Sequence, residues 1–151
     1  MKFSINRNTL LNILQFVSKA IPTRSTLPII GCALFTQKKN KLNVRTTDLE
    51  ISISIDCKVE NNEEGSIAIP LNKLLEITSA ISEENIDISV SDIGKVSIKS
   101  EVGKYTIMGQ SCDEFPAEQI VENGTGISIG GIELKNIINN TVYATSRDDL
   151  K

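Results

Sequence analysis

Histidine is absent from the 151 residues, which removes the commonest general base and the commonest neutral metal ligand. Tryptophan is absent as well and aromatics make up only 4% of the chain, so a core has to be assembled from Ile, Leu and Val. No run of 18 apolar residues occurs, which excludes a hydrophobic membrane-spanning helix. No apolar core follows Lys2, where Phe3 leads into the polar run Ser4 to Thr9 broken only by Ile5, so no secretory signal is expected. The three cysteines, Cys32, Cys57 and Cys112, are odd in number and far apart, unlike a zinc site. Cys32 and Cys57 sit in apolar stretches and read as buried free thiols of a reducing, cytoplasmic compartment. Phosphate-cradling loops need clustered glycines at a helix start, and Gly130-Gly131 alone does not make one. Ser25 and Ser146 lack a nucleophile motif. The acid pairs Asp48/Glu50 and Glu63/Glu64 read as a wet strand face and a turn. No catalytic arrangement, cofactor or metal is expected, so a binding protein is favoured over an enzyme.

What is present is globular: 40% hydrophobic and 23% charged residues suffice for a packed core. The formal charge of −3 argues against a uniformly basic nucleic-acid binder, but net charge averages over faces and permits one basic and one acidic side.

Phe3 and Ile5 flank Ser4 with the two-residue period of a short strand. The period then changes: Leu10, Ile13, Leu14, Val17 and Ile21 follow the spacing of one helical face. Asn6 and Asn8 stand where an N-cap would, and Pro22 closes the segment. Alternating strands follow at Cys32–Thr36 and Leu42–Thr46. A long one is read over Leu49–Val59, where Leu49, Ile51, Ile53, Ile55, Cys57 and Val59 alternate with polar residues. An acidic turn spans Asn61–Gly65, and Ser66–Ile69 is a short strand. Pro70 starts a second helix with Leu71, Leu74, Leu75, Thr78 and Ile81 on one face. Three further strands, Ile86–Val90, Val96–Ile98 and Tyr105–Ile107, are joined by turns containing Gly94 and Gly103. The natural packing is α+β, with two helices on one face of a curved antiparallel sheet.

The opening unit recurs. Shifting the sequence by 124 residues lays Ile127-Ser128-Ile129 on Phe3-Ser4-Ile5 and Leu134, Ile137 and Ile138 on Leu10, Ile13 and Leu14. The expected organisation is a first domain over residues 1–116, a linker over 117–126 and the start of a second, similar domain over 127–151, in a piece of a longer protein. Charge placement adds one functional hint. The first helix carries Arg7 and Lys19 with no acid between Asn6 and Ile21, and offers Asn8, Asn12, Gln15 and Ser18 besides. Such a face suits a polyanion read without a sequence code.

MKFSINRNTLLNIL at the start, Arg24 with Thr26-Leu27-Pro28-Ile29, Thr47-Asp48-Leu49-Glu50, Ile69-Pro70 leading to Lys73, and Glu114-Phe115-Pro116 together resemble the bacterial sliding clamp family, the β subunit of DNA polymerase III. Each motif is short, but their order and spacing carry the resemblance through the first domain into the second. It implies the DNA-clamp fold, repeated per domain, with helices lining a central hole and sheets forming the outer wall. It also implies a non-catalytic processivity factor of chromosomal replication that encircles duplex DNA and tethers the polymerase. The rivals are an enzyme domain whose active site lies elsewhere in a longer chain, and an assembly module that binds no nucleic acid.

By the same resemblance, double-stranded DNA is contacted by Arg24, with Arg7, Ser25, Thr26 and Lys19 around it and Arg147 and Asp148 in the matching loop of the second domain. A second clamp subunit, in a head-to-tail ring, is met through Lys73, Lys104, Tyr105 and Ile107. The polymerase III catalytic subunit and the clamp loader are the further implied partners, through regions largely absent here.

Overall fold

The computed structural model describes residues 1–22, 26–118 and 125–146, with backbone alone at 61 and 62. The chain divides into two compact units, Met1–Glu118 and Gln119–Lys151.

The first unit opens with strand β1 (Lys2–Asn6) and helix α1 (Arg7–Val17), followed by a 3-10 turn, Ser18–Ala20. Asn6 is the cap, its side chain accepting from the amides of Asn8 and Thr9, so two of the four orphan donors of the first turn are satisfied. The periodic residues Leu10, Ile13, Leu14 and Val17 are the buried ones, each worth about 1.5–3 kcal/mol of burial. After a 3-10 turn at Pro28–Gly31 come β2 (Cys32–Lys38), β3 (Lys41–Thr47), β4 (Ser52–Lys58), β5 (Glu60–Glu63) and β6 (Gly65–Pro70). Helix α2 (Leu71–Ala80) and strands β7 (Asn85–Val90), β8 (Lys95–Lys99) and β9 (Lys104–Met108) complete the regular elements of the unit.

The curved antiparallel sheet read from the sequence is realised as two sheets, ordered β5-β1-β7-β8-β9 and β4-β3-β2-β6. Only Val59 separates β4 from β5, so one run of chain crosses from the second sheet into the first. On the other side, Ala68 in β6 bridges to Gln110 just past β9. Helices α1 and α2 pack against each other, α1 over β3 and β4 and α2 over β2 and β6. Phe3, Phe35, Leu42, Val44, Ile69, Ile86, Ile88 and Ile98 from both sheets close on the helices in one core.

Three expectations are corrected. The alternation over Leu49–Val59 does not make one strand: β4 starts at Ser52, and Leu49 sits at φ 83 in a turn. The Asp48 carboxylate captures the amides of Glu50 and Ile51, and the Thr47 hydroxyl accepts from Leu49 and donates to the Ile51 carbonyl. These local bonds outcompete strand geometry. Asp48 and Glu50 therefore share a turn rather than a strand face. The third correction is the acidic Asn61–Gly65 turn, most of which is the edge strand β5, paired with β1.

In the second unit, helix α3 (Gly131–Thr141) leads into a 3-10 turn at Val142–Ala144. Its bounds are those of α1 and its turn, offset by 124 residues. The preceding residues also agree, Asn6 at φ −63, ψ 131 and Gly130 at φ −65, ψ 134.

Candidate nucleic-acid interface

With Leu10, Ile13, Leu14 and Val17 turned inward, α1 leaves Asn8, Thr9, Asn12, Gln15 and Phe16 on its exposed side, and Lys19 exposed just beyond its end. Four of these six are neutral hydrogen-bonding residues and none is acidic. The Lys19 ammonium stands 5.0 Å from the centre of the Phe16 ring, a cation–π contact that holds the charge at the surface. Phe16 is 51% exposed and was missed in the sequence; its spacing of three from Lys19 on the polar face was the available signal. Neighbouring α2 exposes Asn72, Lys73, Glu76, Ser79 and Ala80, so its charges offset each other.

Arg7 is committed elsewhere. Its Nε donates to the Thr78 carbonyl at 3.0 Å and its Nη2 to the Ser79 carbonyl at 3.0 Å, while Nη1 donates to the Asn8 side chain. Residues 78 and 79 lie in the last turn of α2, whose carbonyls have no partners within the helix. The guanidinium thus ties the start of α1 to the end of α2. Thr26 is exposed just before the Pro28–Gly31 turn. Arg24, Ser25, Arg147 and Asp148 lie outside the described residues.

The residues expected at a subunit contact come together at one edge. Strand β9 is the outer strand of its sheet and lies beside α2, which exposes Lys73. Register sets the faces: Tyr105 is opposite Ile98 and Ile107 opposite Val96, so both belong to the core side. Ile107 packs partly on the core, whereas Tyr105 remains 39% exposed at the rim. Lys104 points the other way, directly opposite Lys99, with Lys95 on the same outer face of β8. Two like charges face each other across this pair, while Asp87 of β7 stands directly opposite Lys99 on its other side, so Lys104 at the edge is the lysine of the row without an acid opposite it.

The remaining chemistry is quiet. Burial pushes the thiols of Cys32 and Cys57 up, away from the nucleophilic thiolate, and all three cysteines are free. Among the described residues no group of three His, Cys, Asp or Glu side chains is placed to hold a metal ion, and no helix is long and apolar enough to cross a membrane. The Asp56 carboxyl is held below its ordinary range by bonds from Lys41 and Asn43.

The profile of the DNA polymerase III beta subunit, N-terminal domain, matches residues 1–119. The chain belongs to this family. Among curated relatives, a Vibrio harveyi protein named beta sliding clamp is 30% identical over 145 residues, covering 95% of this chain and 100% of that sequence. The beta sliding clamp of Pseudomonas aeruginosa is 30% identical over 156 residues, covering 100% of this chain and 41% of its own length. The crystal structure of the DNA polymerase III subunit beta from Pseudomonas aeruginosa superimposes with a TM-score of 0.92 at 27% identity, over 100% of this chain and 41% of that one. The sliding clamp of Caulobacter crescentus gives 0.89 at 25% identity, over 99% and 41%. The chain thus spans about two-fifths of the length of the beta sliding clamps of Chlamydia pneumoniae, Vibrio cholerae and Pseudomonas aeruginosa that it matches.

Proposed function

We propose that this chain serves as part of a sliding clamp, a non-catalytic processivity factor of bacterial chromosomal replication that encircles duplex DNA and tethers the replicative polymerase. The observation that carries the reading is the exposed side of α1: free of acids, lined by amides, with one cation held at its end on Phe16. Weak, sequence-independent phosphate contacts of this kind permit sliding where tight ones would arrest it. Residues 1–116 form the first clamp domain, 117–126 the linker and 127–151 the opening of a second, an assignment supported by the matched geometry of α1 and α3. Duplex DNA is met by Lys19 and Thr26 with Arg24 and Ser25, which lie between them in sequence, and by Arg147 and Asp148 of the second domain. Arg7 takes part only by keeping α1 in place.

The second subunit docks head to tail on the β9 edge through Lys73, Lys104, Tyr105 and Ile107. Lys104, on the outer strand, suits an acidic group on that partner. The polymerase III catalytic subunit and the clamp loader are the further partners, and the cytoplasm, which suits three free thiols, is the place of action.

The test uses the full-length protein loaded on DNA. It should remain on closed circular DNA and run off when the circle is linearised; equal retention on both would refute encirclement. Lys19→Ala and Arg24→Ala should each lower the salt slope of binding to primed DNA by about one ion.

A further inference from the structure

The motif Glu114-Phe115-Pro116 sits where the chain leaves the first unit, and its surroundings are built. Ser111 caps a short 3-10 turn at Cys112–Glu114, and the Phe115 amide donates back to the Cys112 carbonyl at 3.1 Å. This aims the Phe115 ring at the outer face of the four-stranded sheet, away from the main core. There it completes a second apolar cluster with Ile29, Ile30, Cys32, Ala68 and Leu34.

Register explains the next contact. Leu34 lies between Ala68 on β6 and Arg45 on β3, so Arg45 flanks the same outer row. Its guanidinium stands 5.2 Å from the centre of the Phe115 ring and donates from Nη2 to the Pro116 carbonyl at 2.8 Å. Arg45 is 9% exposed. Among the described residues no carboxylate pairs with it, so the ring and this carbonyl are what hold a nearly buried charge. A planar guanidinium meets both at once; an ammonium has no such geometry.

We infer that Arg45 is a positioning residue, a latch that fixes the chain at Phe115-Pro116 against the outer face of the four-stranded sheet at the end of the first unit. The restriction that Pro116 places on Phe115 stiffens the same point. With the latch closed, Phe115 and Pro116 are held on the first unit; with it open, the Cys112–Pro116 turn is released from that unit. The consequence for function rests on the clamp reading: a ring of domains joined end to end is as stiff as its joints, and slack at this one favours opening.

Amide hydrogen exchange of this 151-residue chain tests the latch. Arg45→Met retains the bulk of the side chain and removes the charge and its donors. The Phe115 amide should exchange about tenfold faster relative to the amides of Val44 and Ile88, as loss of one charged hydrogen bond implies. Arg45→Lys should restore part of that difference. Taking the ratio to core amides subtracts any global loss of stability. An unchanged ratio, with or without a general rise in exchange, overturns the latch. In the full-length protein, Arg45→Met should leave closed circular DNA several-fold faster than wild type. If wild type itself is not retained there, the clamp reading fails while the exchange ratio still decides the latch. If both are retained equally, the latch does not govern ring opening.

Discussion

Arg7→Ala separates a structural role from a DNA-contacting one. The substitution removes two bonds from a cation to carbonyls in the last turn of α2, at 3.0 Å each. Hydrogen bonds to charged groups contribute about 1.5–3 kcal/mol when sheltered; Arg7 is only partly buried, so about 1 kcal/mol apiece is the better figure. A cation at a helix C-terminus adds about 0.5 kcal/mol. The expected loss is therefore about 2–3 kcal/mol, which lowers the melting temperature of a domain of this size by roughly 8–12 °C. Circular dichroism melts at fixed pH and salt measure it directly. Arg7→Lys should recover less than half, because one ammonium does not span two successive carbonyls in the fixed fork of a guanidinium. Binding to primed DNA across a salt series is the second assay. After correction for the unfolded fraction, its slope should be that of wild type. A melting point within about 2 °C of wild type, the ordinary result for an exposed substitution, together with a slope lower by about one ion, would refute the structural role and return Arg7 to the DNA-contacting set.

Two further outcomes follow from the same packing. Thr78 is fully buried and its hydroxyl has no hydrogen-bond partner among the described residues, so Thr78→Val should raise stability by about 1 kcal/mol in urea titration; a loss of similar size would show that the hydroxyl is bonded. Asp48 is held below its ordinary value, chiefly by the Ile51 amide. Its folded pKa being depressed, its contribution is complete above the unfolded pKa and disappears as pH falls through the folded one. Melts of wild type and Asp48→Asn should therefore differ at pH 6 and converge on acidification below pH 4, whereas a gap that does not depend on pH would exclude the carboxylate as the cause.

The elements that were legible in the sequence are those settled within a few residues. Helix α1 followed from the spacing of Leu10, Ile13, Leu14 and Val17 and from an Asn at the cap, and α2 from Pro70 and Leu71 onward; both depend on near neighbours. The 47–51 turn depends on near neighbours too, yet it was missed, because Leu49 and Ile51 keep the alternation of the strand that follows. The signal was Asp48, whose side chain competes for the amides two and three residues on. Strand β5 was hidden by its acidic composition, since an edge strand needs only a partner's backbone, and β1 supplies it from far away in sequence. The division into two sheets turns on Val59, an ordinary strand residue whose role is set by where the chain crosses. For the candidate surface, the absence of acids on α1 was visible at once. The commitment of Arg7 was not, because its acceptors lie 71 and 72 residues away. The partner of Phe115 was equally distant, as Arg45 meets it through sheet register rather than proximity in sequence.

The matched bounds of α1 and α3 carry a consequence for how such a chain folds. Two helices of equal length and nearly equal apolar pattern in one chain invite the exchange by which tandem repeats misassemble. Leu134 and Ile137 copy Leu10 and Ile13, so the apolar stripe discriminates poorly. The ends discriminate better. Thr141 stands where α1 has Val17, whose side chain is 0% exposed, and its hydroxyl bonds back to the Ile137 carbonyl. Gly131 stands where α1 has Arg7. Seated in the wrong groove, α3 would bring no guanidinium to the last turn of α2 and would bury a hydroxyl where a methyl belongs. The residue that fastens α1 is thus the one that α3 lacks.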